Sequence, residues 1–298
     1  MSSNIIFNKT NIVDSVGNNK LSYNFPKAVT FKKGDTISVS HLNMYFSWFN
    51  ISKLYNNIFF QYKWWDLDGD LTVIVDVLIP DGFYSVGTLY EFLQSVMVQN
   101  GHFLKTLEGN KYLYFIEIIP NSTYYSIEIR LSACAKNMDF GQGIVPLVDF
   151  CTPPTTWTAP TNFETAEVII PGNNYFGDLL GYNKPSNIFQ DLTIQPPINL
   201  KYSFLNDVTP NMLPSSSYII TCSLVDNDMS IPNNVLYSFT LDSSTKFGQT
   251  ISPGSDIIWA KIREGTYSSI FIEIYDQDFK RLMIVDPNLL ITLSINQK

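Results

Sequence analysis

The sequence predicts an all-β fold of sandwich or barrel type, on three observations. Apolar side chains recur at every second position in many short runs, clusters of Gly, Pro, Asn and Asp separate those runs, and a single segment carries a helical period. In Thr36-Ile37-Ser38-Val39-Ser40 the apolar pair faces one way and the hydroxyls the other. The same alternation runs through 125–131, 270–275 and 289–295, the last with an aliphatic residue at every second position. Further strand candidates are 58–65, 71–79, 112–119, 166–170, 218–225, 235–241 and 257–263. Strands this short and this closely punctuated do not fit βαβ units. Asn occupies 27 positions, and Asn and Asp suit elaborate loops because they bond their own backbone and tolerate left-handed turns.

The exception to the period of two lies near 86–100. Leu89, Phe92, Leu93, Val96 and Met97 fall at i, i+3, i+4, i+7 and i+8, which is one apolar face of a helix. Ser85 or Thr88 can cap its start, Thr88 and Glu91 have capping-box spacing, and Gly101 stands where a left-handed residue closes a helix. Elsewhere two stretches lose periodicity and read as extended loops. One is near 134–165, with Pro153, Pro154 and Pro160, and the other near 182–217, with Pro185, Pro196, Pro197, Pro210 and Pro214. One β domain over 1–298 with these loops is the preferred organisation. Two smaller sandwiches divided near 135–165 are the alternative.

Composition narrows the function. Of 298 residues 45% are hydrophobic and only 15% charged, against about 25% charged in an ordinary soluble domain, so too few charges remain to cover an isolated globule. Lys and Arg number 19 against 27 Asp and Glu, for a net charge of −8 and a pI near 4.7. That balance argues against coating nucleic acid through its phosphates. No stretch approaches the roughly 18 apolar residues of a membrane-spanning helix, and residues 1–10 have neither a basic start nor an apolar core, so a soluble cytosolic product is expected. Cys134, Cys151 and Cys222 have no C-x-x-C spacing and read as buried reduced thiols.

A search for chemistry returns no catalytic, cofactor-binding or metal-ligating set. His41 and His102 are the only histidines, and neither has a visible triad or zinc partner. Asp66, Asp68 and Asp70 resemble the opening of a calcium loop, but the sixth and twelfth positions hold Leu71 and Val77 where Gly and Glu belong, so a hairpin turn is the favoured reading over a weak calcium site. Asp276-Gln277-Asp278 reads as a solvated turn, and Gly141-Gln142-Gly143 lacks the third glycine of a dinucleotide loop. Sequons at Asn8, Asn50 and Asn121 mean little without a secretory signal. The unusual feature is aromatic: 17 Tyr, 21 Phe and 5 Trp, clustered in Tyr45-Phe46-Ser47-Trp48-Phe49 and Trp64-Trp65. Such rings fill β cores, form subunit interfaces or stack on sugars. A carbohydrate-binding β-sandwich using exposed Trp64, Trp65 or Trp157 is therefore the competing functional reading, and a β-fold glycosidase ranks third.

Several strings in order carry a resemblance. Ser40-His41-Leu42-Asn43-Met44-Tyr45-Phe46-Ser47-Trp48-Phe49-Asn50-Ile51-Ser52 precedes Tyr55-Asn56-Asn57. Ile79-Pro80-Asp81-Gly82-Phe83-Tyr84-Ser85-Val86 leads into the helix, followed by Asn100-Gly101-His102 and residues 112–125. Gly177-Asp178-Leu179-Leu180-Gly181-Tyr182 and Asp286-Pro287-Asn288-Leu289 come later. Together they resemble the penton, or minor capsid, protein of virophages and Polinton (Maverick)-type viruses. The resemblance implies a single jelly roll of two apposed four-stranded sheets, a homopentamer at the fivefold vertices of an icosahedral virion assembled in the host cytoplasm, and contact with a double-jelly-roll major capsid protein. It implies no enzyme activity, cofactor or membrane span. Length agrees, since two rolls with loops would exceed 298 residues. Five copies of an acidic chain also need charge-poor contact faces, which this composition supplies.

Overall fold

The computed structural model describes residues 2–14, 16–139, 143–172, 174–182, 187–189, 201–212, 217–242, 245–253 and 257–298. Contacts divide the chain into two compact units: Met1–Phe49 together with Leu213–Lys298, and Asn50–Met212. The boundaries thus fall at 49/50 and 212/213, and residues 135–165 lie inside the second unit.

Eight strands of the first unit follow one another as Ser2–Asn8, Lys20–Phe31, Thr36–Tyr45, Ser217–Cys222, Val235–Thr240, Thr250–Ile251, Gly265–Asp276 and Leu290–Asn296. All pair antiparallel. One sheet has the order first, eighth, third, sixth, and the other fifth, fourth, seventh, second. Two sheets interleaved in this way from one chain form a jelly roll. The short piece Ala260–Lys261 pairs with the third strand as well. It is all that remains of the strand expected over 257–263. Alternation works as the sequence predicts: Ile291, Leu293 and Ile295 of the eighth strand, and Ile270, Ile272 and Ile274 of the seventh, are buried. Phe7 of one sheet meets Tyr23 of the other at 5.9 Å across the core.

The second strand of the roll departs from expectation, because no strand is predicted over 20–31. Its register shifts between Asn24 and Val29, so the pairing with Gly265–Asp276 skips the segment holding Pro26 and Lys27. The strand lies at the edge of its sheet, where a proline and a bulge are tolerated and also discourage pairing with another chain.

In the second unit, one sheet has the order Asn187–Phe189, Glu167–Ile170, Phe59–Trp65, Leu71–Leu78. Another is centred on Ser126–Cys134, which pairs with Ile116–Asn121, Lys201–Leu205 and Glu164–Thr165. The helix Val86–Gln99 matches the sequence reading and buries Leu89, Leu93 and Met97. Ser85 is the cap: its hydroxyl accepts from the Thr88 amide at 3.1 Å while Thr88 Oγ1 accepts from the Ser85 amide at 2.9 Å. Thr88 thus closes the box from inside the helix, and the expected Thr88 to Glu91 pair is replaced by this one. At the far end Gly101 has φ +73°, its amide donates to Val98 O at 3.1 Å, and the His102 amide donates to Met97 O at 2.8 Å.

The expected loop near 134–165 contains short pairings, Asn137–Asp139 with Ile144–Pro146 and Cys151–Thr152 with Leu104–Thr106. In the expected loop near 182–217, Lys201–Leu205 is a strand, and Pro185, Pro196, Pro197 and Pro214 lie outside the described residues. Gly141 and Gln142 lie outside them too.

The two ends of the second unit are joined by one side chain. Asn50, buried, donates from Nδ2 to Tyr84 O and to Met212 O at 2.7 Å each and accepts the Tyr84 amide at 2.8 Å on Oδ1. Its sequon is therefore structural. Replacing Asn50 with Ala leaves three partly buried backbone groups without this partner and is expected to cost about 2 kcal/mol. Urea denaturation of the Asn50→Ala protein checks this, with a lower midpoint expected and an unchanged slope.

Candidate functional site

The residues that sequence reading singled out as a possible sugar platform are core. Trp64, Trp65 and Trp157 are each at most 1% exposed. Successive residues of a strand ordinarily face opposite ways. Here the register against Leu71–Leu78 shifts between Trp64 and Trp65, and this bulge turns both rings inward. Trp64 stacks on the His102 ring at 4.9 Å, and Trp65 stacks on Trp157 at 5.5 Å. Trp157 Nε1 donates to Gly101 O at 2.9 Å, so the helix terminus orients it. A carbohydrate site on these three indoles is overturned by their burial.

His102 belongs to the same cluster. Burial lowers its pKa to about 4, and the neutral ring shares a hydrogen bond between Nδ1 and Tyr62 Oη at 2.9 Å. Burial raises the pKa of Tyr62, which keeps the phenol protonated. His41 is exposed on the third strand of the roll. The two histidines thus lie in different units.

The aspartate string makes a turn. Asp66 Oδ1 accepts from the amides of Asp68 at 2.9 Å and Asp70 at 3.0 Å, and Oδ2 accepts from Thr72 Oγ1 at 2.6 Å. The bond from Thr72, then those from the loop amides, lower the Asp66 pKa. That carboxylate is engaged by its own hairpin. Among the described residues no group of three or more His, Cys, Asp or Glu is placed to hold a metal ion. Asp276 differs from expectation: it is buried, and it accepts from the amides of Asp278 and Lys280 at 2.9 and 2.7 Å. Cys134, Cys151 and Cys222 are free and buried, and burial raises all three thiol pKa values, that of Cys222 to about 11. None is primed as a nucleophile.

The surface offers a different feature, an exposed sheet edge. Leu71–Leu78 pairs only with Phe59–Trp65 among the described residues, so within them its other side has no strand partner. Its outward positions are Thr72, Ile74, Asp76 and Leu78, with Ile74 56% and Leu78 63% exposed. Unlike Lys20–Phe31 this strand holds no Pro or Lys; the bulge at Thr72 lies at its start and Asp76 is its one outward charge. The signal was present in Leu71-Thr72-Val73-Ile74-Val75-Asp76-Val77-Leu78, where apolar residues fall on both faces.

Among solved structures the chain is similar to a mavirus penton protein, with TM-score 0.43, 11% identity and coverage of 99% of this chain and 97% of that one. It is likewise similar to a chain of the Sputnik virophage structure determined by cryo-EM, with TM-score 0.39, 12% identity and coverage of 100% and 98%. No family model and no curated protein matches. No helix among the described residues is long and apolar enough to cross a membrane.

The environment of His102 has a measurable consequence. Its folded pKa of about 4 lies below the ordinary 6.5, so the unfolded chain takes up a proton that the folded chain refuses. This contribution is complete above pH 6.5 and is lost as pH falls toward 4. Between pH 6.5 and about 5, above the carboxylate range, stability should drop by on the order of 1 kcal/mol. Urea midpoints across that window check the loss, and His102→Gln, which keeps a hydrogen-bond partner for Tyr62, should flatten it.

Proposed function

We propose that this chain is a structural capsid protein that assembles as a homopentamer at the fivefold vertices of an icosahedral virion, with the whole of 1–298 acting as one capsid subunit. Self-association is its function, and neither a nucleophile nor a cofactor takes part. The neighbouring partner is a double-jelly-roll major capsid protein, and synthesis and assembly take place in the host cytoplasm.

The observation that carries the reading is the exposed edge Leu71–Leu78, with apolar Ile74 and Leu78 outward, in a charge-poor, aromatic-rich chain. An eight-residue strand with no partner on one side among the described residues and with outward Ile74 and Leu78 is a pairing surface. Ring formation needs heterologous contacts, one face of a copy against a different face of the next, and a β-sandwich with dissimilar flanks supplies two. Low charge limits repulsion where acidic copies meet. The sequence resemblance to virophage and Polinton pentons supplies the number five and the vertex position.

Negative-stain images of the purified protein should show rings of five, and co-expression with the major capsid protein should yield particles containing it. The variant Ile74→Lys with Leu78→Lys puts two charges on the edge. It is expected to shift sedimentation from the ring to the monomer with an unchanged circular dichroism spectrum. Wild-type protein that stays monomeric at high micromolar concentration and never enters particles contradicts the proposal.

A further inference from the structure

The geometry points to a carbohydrate site in the second unit, a groove between the hairpin tip at Tyr124 and Tyr125 and the loop 205–209 that takes a neutral pyranoside. This inference does not depend on how copies of the chain assemble.

The groove is an open cleft of about 390 Å³, at the lower end of the size range of small-ligand sites. Tyr124 is 69% exposed and Tyr125 75%, and both line it at the turn between Ile116–Asn121 and Ser126–Cys134. The tip is fixed, because Asn121 Oδ1 accepts from the amides of Thr123 at 3.0 Å and Tyr124 at 3.2 Å. Tyr125 has φ +48°, a left-handed backbone in which Gly or Asn is relaxed and a bulky aromatic is strained. Strained residues of this kind cluster at ligand sites, since strain is tolerated there for the sake of what the side chain does.

The opposite wall is equally built. The Asp207 and Val208 amides both donate to Gly181 O at 3.0 Å, and Asn206 Nδ2 donates to Leu180 O at 3.1 Å. Gly181 has φ +86°, and a Cβ there would stand 2.3 Å from Val208 O, so only glycine lets the loop approach. Tyr182 then ties the two walls together. Its hydroxyl accepts from the Ile129 amide at 3.1 Å and has Phe204 O at 2.7 Å and Ile127 O at 3.1 Å as acceptors. The groove therefore exists before a ligand arrives, which lowers the entropy cost of binding.

The chemistry of the lining selects the ligand. Two exposed phenol rings offer faces to the C–H side of a sugar ring, and Asn206, Asp207 and Thr209 offer polar atoms to its hydroxyls. Among the described residues one carboxylate and no Lys or Arg line the groove, so a sialylated, sulfated or phosphorylated glycan would meet like charge. A neutral hexoside or N-acetylhexosaminide meets none.

Saturation-transfer NMR on the intact protein with methyl glycosides of glucose, galactose, mannose and N-acetylglucosamine, followed by a printed glycan array, tests this. At least one neutral glycoside should bind. Tyr124→Ser with Tyr125→Gly should weaken it at least tenfold, while the melting temperature holds or rises because glycine relaxes the left-handed position. Tyr125→Phe should retain binding. The inference is overturned if no neutral glycan binds the wild-type protein. It is equally overturned if binding survives the double substitution, if only anionic glycans bind, or if the groove instead takes a peptide.

Discussion

The second unit enters and leaves at nearly one point, and Asn50 makes that point. Its side-chain amide reaches Met212 O and both backbone groups of Tyr84, so the first and last residues of a long insertion are held by hydrogen bonds that would cost free energy to leave unmade. An insertion whose ends meet can be long without opening its host, since loop closure grows only slowly with length. The third and fourth strands of the roll, Thr36–Tyr45 and Ser217–Cys222, can therefore belong to one fold although the whole second unit lies between them.

The roll then closes through its most distant partners. Leu290–Asn296 lies between Ser2–Asn8 and Thr36–Tyr45, with Leu293 opposite Ile5 on one side and Val39 on the other. Such non-local pairing is slow to form. It also leaves the second unit free of the burden of holding the roll, because that unit has its own core around the paired indoles and the helix. The features offered here for assembly and for sugar recognition both lie in this insertion: the edge Leu71–Leu78 and the groove at Tyr124 and Tyr125. The chain thus divides into a roll made from its two ends and a second unit made from its middle, and both proposed surfaces lie in the second.

How much of this was legible follows from what each residue reports about itself. Ile291, Leu293 and Ile295 announce a strand because one face is buried, and Leu89, Leu93 and Met97 announce a helix for the same reason. Even the helix ends could be read, save that Thr88 completes the cap where Glu91 has the expected spacing. Lys20–Phe31 was hidden because Pro26 and Lys27 occupy a bulge, and a bulge is a property of pairing that a single strand does not display. Trp64 and Trp65 misled for the same cause: adjacent positions predict one ring outside, and only the register shift brings both in. The eight-strand order could not be read at all, since which strands become neighbours depends on closure across the whole chain. Tyr124 appeared in the sequence only as part of a resemblance, and Tyr125 also as the first residue of an alternating run whose strand starts at Ser126. The Asn121-Ser122-Thr123 turn before them was the available local signal.

Hydrogen exchange on the intact chain tests the central claim most directly, because it reports which segments open together. A roll built from both chain ends around a clasped insertion predicts that amides of Ser2–Asn8, Thr36–Tyr45, Gly265–Asp276 and Leu290–Asn296 exchange as one cooperative unit. Those of Phe59–Trp65 and Ser126–Cys134 should then exchange as another. Protection that instead joined Thr36–Tyr45 with Phe59–Trp65, while Leu290–Asn296 exchanged early and alone, would contradict it.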